Sequence, residues 1–216
     1  MALRINERLN LVVPLYGDND QIYAYVHSSP ISREVFEANF LLISKTFAAI
    51  HGEGLGEIAG PRVAAMLMRE TAKRMTPRGE ASIELPLLDE IRRLSNVVMP
   101  GLSGWTTMPL HDAIAGRLID SDDVAEVENA LVFFTSMSAM HRKQVIAEIL
   151  PGAARLWGAQ TTSSDCMAFV ASLPTSIPGA NTGEKSDAPH PAPPTQSATL
   201  TTTDPAGNVV ASSLPS

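Results

Sequence analysis

The residues of this chain that could do chemistry are five histidines, one cysteine, an aspartate cluster and a run of glycines. Gly52, Gly54, Gly56 and Gly60 suggest a phosphate-binding loop. Their spacing fits neither the Walker nor the dinucleotide fingerprint, and both fingerprints follow a strand, whereas this run follows a helical pattern. A loop between helices is the reading kept. Asp120, Asp122 and Asp123 suggest a cation site. A calcium loop needs Gly at its sixth position and Glu at its twelfth, and neither is present. Helix N-capping explains them better. His27, His51, His111, His141 and His190 show no metal-ligand spacing. His111-Asp112 is an acid–base pair without a nucleophile in a recognisable context. Cys166 lies in an apolar helical pattern and reads as a small buried side chain. No catalytic, cofactor-binding or metal-binding residues are assigned, and a non-enzymatic protein is expected.

Composition narrows the class further. The net charge of -7 lacks the basic footprint that nucleic acid requires. The apolar fraction is 44% but aromatics are only 5%, so the core is aliphatic and suits helix packing. A single cysteine allows no internal disulfide, which points to a cytosolic setting. The apolar run at the N-terminus is interrupted by Pro14 and Tyr16, and reads as too short for a signal peptide. No stretch approaches the length of a membrane span.

The elements follow from periodicity. Residues 9–16 and 21–27 alternate and flank GDND, which predicts one β-hairpin over about 9–27, with Pro14 on an edge. Ser29-Pro30 opens a helix over about 30–51, with Phe36, Phe40, Ile43, Phe47 and Ile50 on one stripe. Further helices are predicted over about 61–75, 86–98, a short piece within 105–118, 121–140, 143–150, 152–157 and 163–172. The last 42 residues, Thr175 to Ser216, have no aromatic side chain, and eight of the 16 prolines fall from Pro174 onward. Such a segment buries too little to offset the entropy of ordering. The expectation is therefore a mostly α, bundle-like helical domain over 1–174 with one N-terminal hairpin, then a disordered Pro/Ser/Thr-rich tail over 175–216.

A partner-binding role is the functional reading left open. Nine methionines are plentiful for this length, and methionine suits both irregular cores and adaptable binding faces. Where the body meets the tail, Trp157, Met167, Phe169 and Leu173 are the candidate partner-binding residues.

Four stretches carry a resemblance: RINERLNLVVPLY, SREVFEANFLLISKTFAAIHGEGLG, AGPRVAAMLMR and LWGAQTTSSDCMAFVASLPTS. Together they resemble tail assembly chaperones of long-tailed bacteriophages over most of 1–176. The resemblance implies a non-enzymatic assembly factor that binds the tape-measure protein, keeps it soluble and helps recruit tail-tube protein. It implies action in the host cell cytoplasm and absence from the mature virion; the acidic charge and the lack of a long apolar run are the grounds on which no nucleic-acid or membrane partner is expected. It also implies that a longer, slippage-derived product could diverge near 174. The alternatives are a structural minor tail or tail-completion protein of the virion, and a small helical adaptor protein.

Overall fold

A computed structural model describes residues 9–77, 82–101, 104–174, 202–203 and 209–210. Two β-hairpins form its frame. Strands β1 (Asn10–Tyr16) and β2 (Ile22–Ser28) are joined by a turn in which Asp20 takes a left-handed conformation, φ 58°. Asp tolerates that region better than most residues. Between the hairpins lie α1 (Arg33–Ala38), α2 (Phe40–Gly52), α3 (Gly56–Met75) and α4 (Leu85–Arg93). The second hairpin is β3 (Ser95–Gly101) and β4 (Gly104–Pro109). It is followed by α5 (Leu110–Ala115), α6 (Ser121–Met140), α7 (Lys143–Leu156), β5 (Gln160–Thr162) and α8 (Cys166–Ser172). The strand order is β4-β3-β2-β1-β5, antiparallel throughout. In a separate unit, Thr202–Thr203 (β6) and Val209–Val210 (β7) pair as a short antiparallel ribbon.

The mostly α expectation with one hairpin is therefore corrected. The chain has an α/β fold built on a five-stranded antiparallel sheet, and the expected hairpin supplies two of the five strands. The missed strands have a common physical cause. Val97 faces the helical layer, and Val98 faces the opposite side of the sheet; both are fully buried. A strand covered on both sides loses its polar–apolar alternation and resembles a continuing helix stripe. Pro100 and Pro109 at the ends of the second hairpin added to the misreading. The expected helix over 86–98 stops at Arg93, and the strand begins two residues later. The expected tail over 175–216 lies outside the described residues, apart from β6 and β7.

Helix starts and stops follow local chemistry. Asp120 caps α6, accepting from the N–H groups of Asp122 (2.8 Å) and Asp123 (2.9 Å), a contact of about 1 kcal/mol. Ser32, not Ser29, caps the first helix through Val35 N. Asn39 then separates α1 from α2, with φ -115°. Pro151 sits inside a continuous α7.

α6 is the central helix. Every residue from Val127 to Met137 is buried, because α2, α3, α4, α7 and β1 all pack on it. Fully burying a large aliphatic or aromatic side chain stabilises by roughly 1.5–3 kcal/mol, and Leu131, Phe133, Phe134 and Met137 are essentially inaccessible. Beneath the helices lie Leu11, Val13 and Leu15 of β1, Ala24 and Val26 of β2, and Val97 of β3. On β2 the Ser28 hydroxyl accepts from Ser95 Oγ at 2.8 Å, a buried polar contact between strands.

Candidate functional site

The last segment of the body passes around the sheet. After α7 ends at Leu156, Gln160–Thr162 pair with Val12, Leu11 and Asn10 along β1. The chain then lays α8 on the face away from the main helical layer. Asp165 caps α8 by accepting from Ala168 N at 2.8 Å. The carbonyl of Ser164 is held twice, by Asn10 Nδ2 at 2.8 Å and by His27 Nε2 at 3.0 Å. His27 is only 1% exposed. This histidine is a buried latch between β2 and the last segment.

Phe169 anchors the cover. Its ring meets Tyr25 edge-on at 5.5 Å and His27 at 5.8 Å. Val12 and Val98 lie beneath it, fully buried, with Val170 and Leu173 packed alongside. Trp105 stands 5.7 Å from Tyr25, and its Nε1 donates to the Pro174 carbonyl at 2.9 Å. Burial raises the Cys166 thiol above its ordinary range, and the neighbouring Asp165 charge adds to this. Its place against the Val12, Val98 and Phe169 cluster fits a packing role.

Of the four expected binding residues, Met167 and Phe169 lie on α8 and Leu173 is its C-cap, and they differ in kind. Phe169 is buried, Leu173 is half-buried, and Met167 is 67% exposed. Trp157 belongs to the helix-side cluster instead. It meets Phe133 edge-on at 5.9 Å, and its indole N–H is buried without a hydrogen-bond partner among the described residues.

The more extensive apolar exposure is on the helices. α2 presents Phe40 and Leu41, α3 presents Ile58 and Met66, and α7 presents Val145, Ile149 and Leu156. Ile58 is 77% exposed and Met66 61%. Spacings of eight on α3 and of four and seven on α7 keep each set on one helical face. α3 packs against both α2 and α7, so these faces belong to neighbouring helices. Phe40 was expected inside with Ile43 and Ile50; those two are buried, while Phe40 turns out to solvent.

The polar groups hold helices together. Glu128 of α6 is buried and pairs with Arg69 of α3 and Arg92 of α4, with Arg92 Nε at 3.0 Å. Asn129 accepts from Ala65 N in α3 at 2.9 Å and donates to Ala125 O at 2.9 Å. The Tyr23 hydroxyl donates to Asp123. Burial above all, then that hydrogen bond, pushes its phenol well above the ordinary range. His111 and Asp112 stand 2.9 Å apart, both largely exposed, with no buried environment to set their chemistry. An open groove of about 550 Å³ lies between α5 and α6, lined by Ile114, Arg117, Ile119, Asp120, Ser121 and Val124. Among the described residues, no three His, Cys, Asp or Glu side chains converge to hold a metal.

Sequence reasoning missed Tyr25 and Trp105 as parts of the α8 platform. A signal was present: Tyr23, Tyr25 and His27 alternate with Ala24 and Val26, so both faces of β2 carry groups that need cover. On α3 the pattern predicts Val63, Met66 and Leu67 inward; Met66 is instead exposed, and the buried face runs through Gly60, Ala64, Ala65, Met68 and Ala72. Comparison of the chain with protein-family models, curated proteins and solved structures finds no match.

Proposed function

We propose that this protein is a non-enzymatic assembly chaperone of the kind found in long-tailed bacteriophages, acting on a tape-measure protein. The single observation that supports it best is the exposed aliphatic surface on α2, α3 and α7. A long helical client presents apolar stripes until a tube encloses it. A helix docks on such a surface through side chains at i, i+3, i+4 and i+7. Ile58 and Met66, and Val145, Ile149 and Leu156, offer complementary rows. Several exposed apolar side chains on neighbouring helices are the kind of surface that serves interaction in soluble proteins. The four sequence stretches that resemble the chaperone family add support, since two of them supply α2 and α3. On this reading the protein works in the host cytoplasm, helps bring tail-tube protein to the client, and leaves before the virion is complete.

Co-expression with the tape-measure protein tests the reading. The full chain should raise the soluble fraction of the client. Ile58→Glu combined with Met66→Glu should abolish that gain while leaving the chaperone's own melting temperature nearly unchanged, since both side chains are already in water. A client equally insoluble with and without this chain overturns the proposal. Stoichiometric copies in purified mature particles favour the structural virion reading instead.

A further inference from the structure

The two sides of the sheet are protected very differently. On one side β5 covers β1 only at Asn10–Val12. The next outward-facing position on β1 is Pro14, which has no N–H to offer. The end strand on that side, β5, is only three residues long and offers little edge to a further strand. On the other side β4 has no strand partner beyond β3 among the described residues. Its register with β3 is unbroken from Gly101↔Gly104 to Asn96↔Pro109, with no bulge. The strand GWTTMP carries no charge, and its only proline is at its end. Natural edges are usually blunted by lysine, proline or a bulge. β4 has none of these along Trp105–Met108.

The ladder shows which groups are available. Pro109 cannot donate, so its pair with Asn96 is of the kind that exchanges no hydrogen bonds. Alternation then directs Gly104, Thr106 and Met108 toward β3. The N–H and C=O of Trp105 and Thr107 point away from the sheet. These groups are self-complementary about a two-fold axis at Thr106. In that arrangement Trp105 faces Thr107 of the second copy and Thr107 faces its Trp105, giving four N–H···O bonds. The pairing is antiparallel, as everywhere else in this sheet. No like charges meet along the strand, although each chain carries -7 overall. The Trp105 indole, fixed by Pro174 O and Tyr25, holds the backbone of the edge in place.

We propose that the β4 edge joins two copies of this chain, by antiparallel β4–β4 pairing centred on Thr106, into one continuous ten-stranded sheet. The contact is small and therefore reversible, in the weak class of interfaces. It rests on the sheet and is independent of the chaperone reading.

Sedimentation of the full chain over a concentration series should show a monomer–dimer equilibrium. Amide exchange at Trp105 and Thr107 should slow as concentration rises. Thr107→Pro removes an outward N–H from each copy and leaves the inner ladder intact, so it should weaken the dimer by about tenfold or more. Thr106→Cys in a Cys166→Ser background should give a disulfide-linked dimer on mild oxidation, because facing residues of a non-hydrogen-bonded pair lie close enough to bridge. If Thr107→Pro does not fold, Thr106→Lys and Thr106→Glu replace it: each alone should be monomeric, and an equimolar mixture should dimerise. Three results would overturn the proposal. One is a monomer at every concentration. Another is a dimer indifferent to changes at Thr106 and Thr107. The third is concentration-independent protection of these amides that disappears when residues 177–216 are removed, which would place the chain's own tail on the edge.

Discussion

Gly60 sets a test in which two physical effects oppose each other. It lies within α3, where replacing glycine by alanine ordinarily stabilises by about 1 kcal/mol. Here an added Cβ would stand 2.8 Å from Ile50 Cγ2 and 2.9 Å from Phe133 Cε2. Both side chains are core residues, 1% and 0% exposed, so neither can swing into solvent. Forcing an extra methyl into a filled core costs about 1–3 kcal/mol. Two simultaneous contacts place the cost in the upper part of that range. Subtracting the propensity gain leaves Gly60→Ala destabilised by roughly 1–2 kcal/mol. Gly52, the last residue of α2, is the control, since a Cβ there meets nothing within 4 Å. Gly52→Ala should be neutral or gain up to about 1 kcal/mol. Urea unfolding followed by far-UV circular dichroism measures both, provided the slope m stays constant. Phe133→Leu should partly relieve Gly60→Ala, with a coupling of about 0.5 kcal/mol or more. A stabilised Gly60→Ala, or one indistinguishable from Gly52→Ala, would refute the close crossing of α3 over α2 and α6.

Other outcomes follow from the same reasoning. Phe169→Ala should cost about 3 kcal/mol, the low end for a buried aromatic because its cluster is small, and should raise the reactivity of Cys166 toward alkylating agents. Arg117 occupies the left-handed region, φ 53°, just past α5, while Gly116 beside it does not; Arg117→Gly should therefore stabilise by about 0.5–1 kcal/mol in thermal unfolding. Glu128→Ala should destabilise by roughly 1–3 kcal/mol in urea, because it removes the buried acceptor that ties Arg69 and Arg92 to α6 while both guanidinium groups can still reach water. Tyr23 gives a pH dependence whose sign is fixed. Its phenol titrates higher in the folded state than in the unfolded chain, so the folded state retains a proton that the unfolded state loses. Stability should fall as pH rises past about 10, and a titration of melting temperature on Tyr23→Phe should show a smaller decline.

Helical periodicity was the most legible part of this chain. α6 was readable from Asp120 and from Val127, Leu131, Phe134 and Met137, because capping and a 3.6-residue stripe are local signals. The first hairpin was readable from GDND and the alternation beside it. The sheet as a whole was not. β3 begins directly after α4, and Val97 and Val98 are buried on opposite sides, so no alternation marks the change. β5 is three residues long and exists only because β1 is there to receive it. The candidate surfaces divide in the same way. Phe169 and Leu173 could be placed at the closing segment from composition and spacing. That Trp157 belongs to the other side of the sheet is a matter of topology. The buried polar pair Glu128-Asn129 interrupts an apolar run, but its meaning depends on Arg69, Arg92 and Ala65, which are remote in sequence. Exposure of Ile58 and Met66 depends on which side of α3 meets α6, and periodicity alone does not choose.

The double hold on the Ser164 carbonyl has a consequence for the order in which the molecule is made. Asn10 and His27 are synthesised early, yet the acceptor they share arrives 154 and 137 residues later. Until then Val12, Val98 and Tyr25 have no cover, and β1 lacks its outer neighbour. A chain still attached to the ribosome therefore carries a half-finished sheet whose exposed valines can capture other strands. Contacts so distant in sequence close slowly. Maturation of this protein is thus timed by the emergence of residues 160–174, and a pulse of protease during synthesis should find its first half vulnerable until that moment.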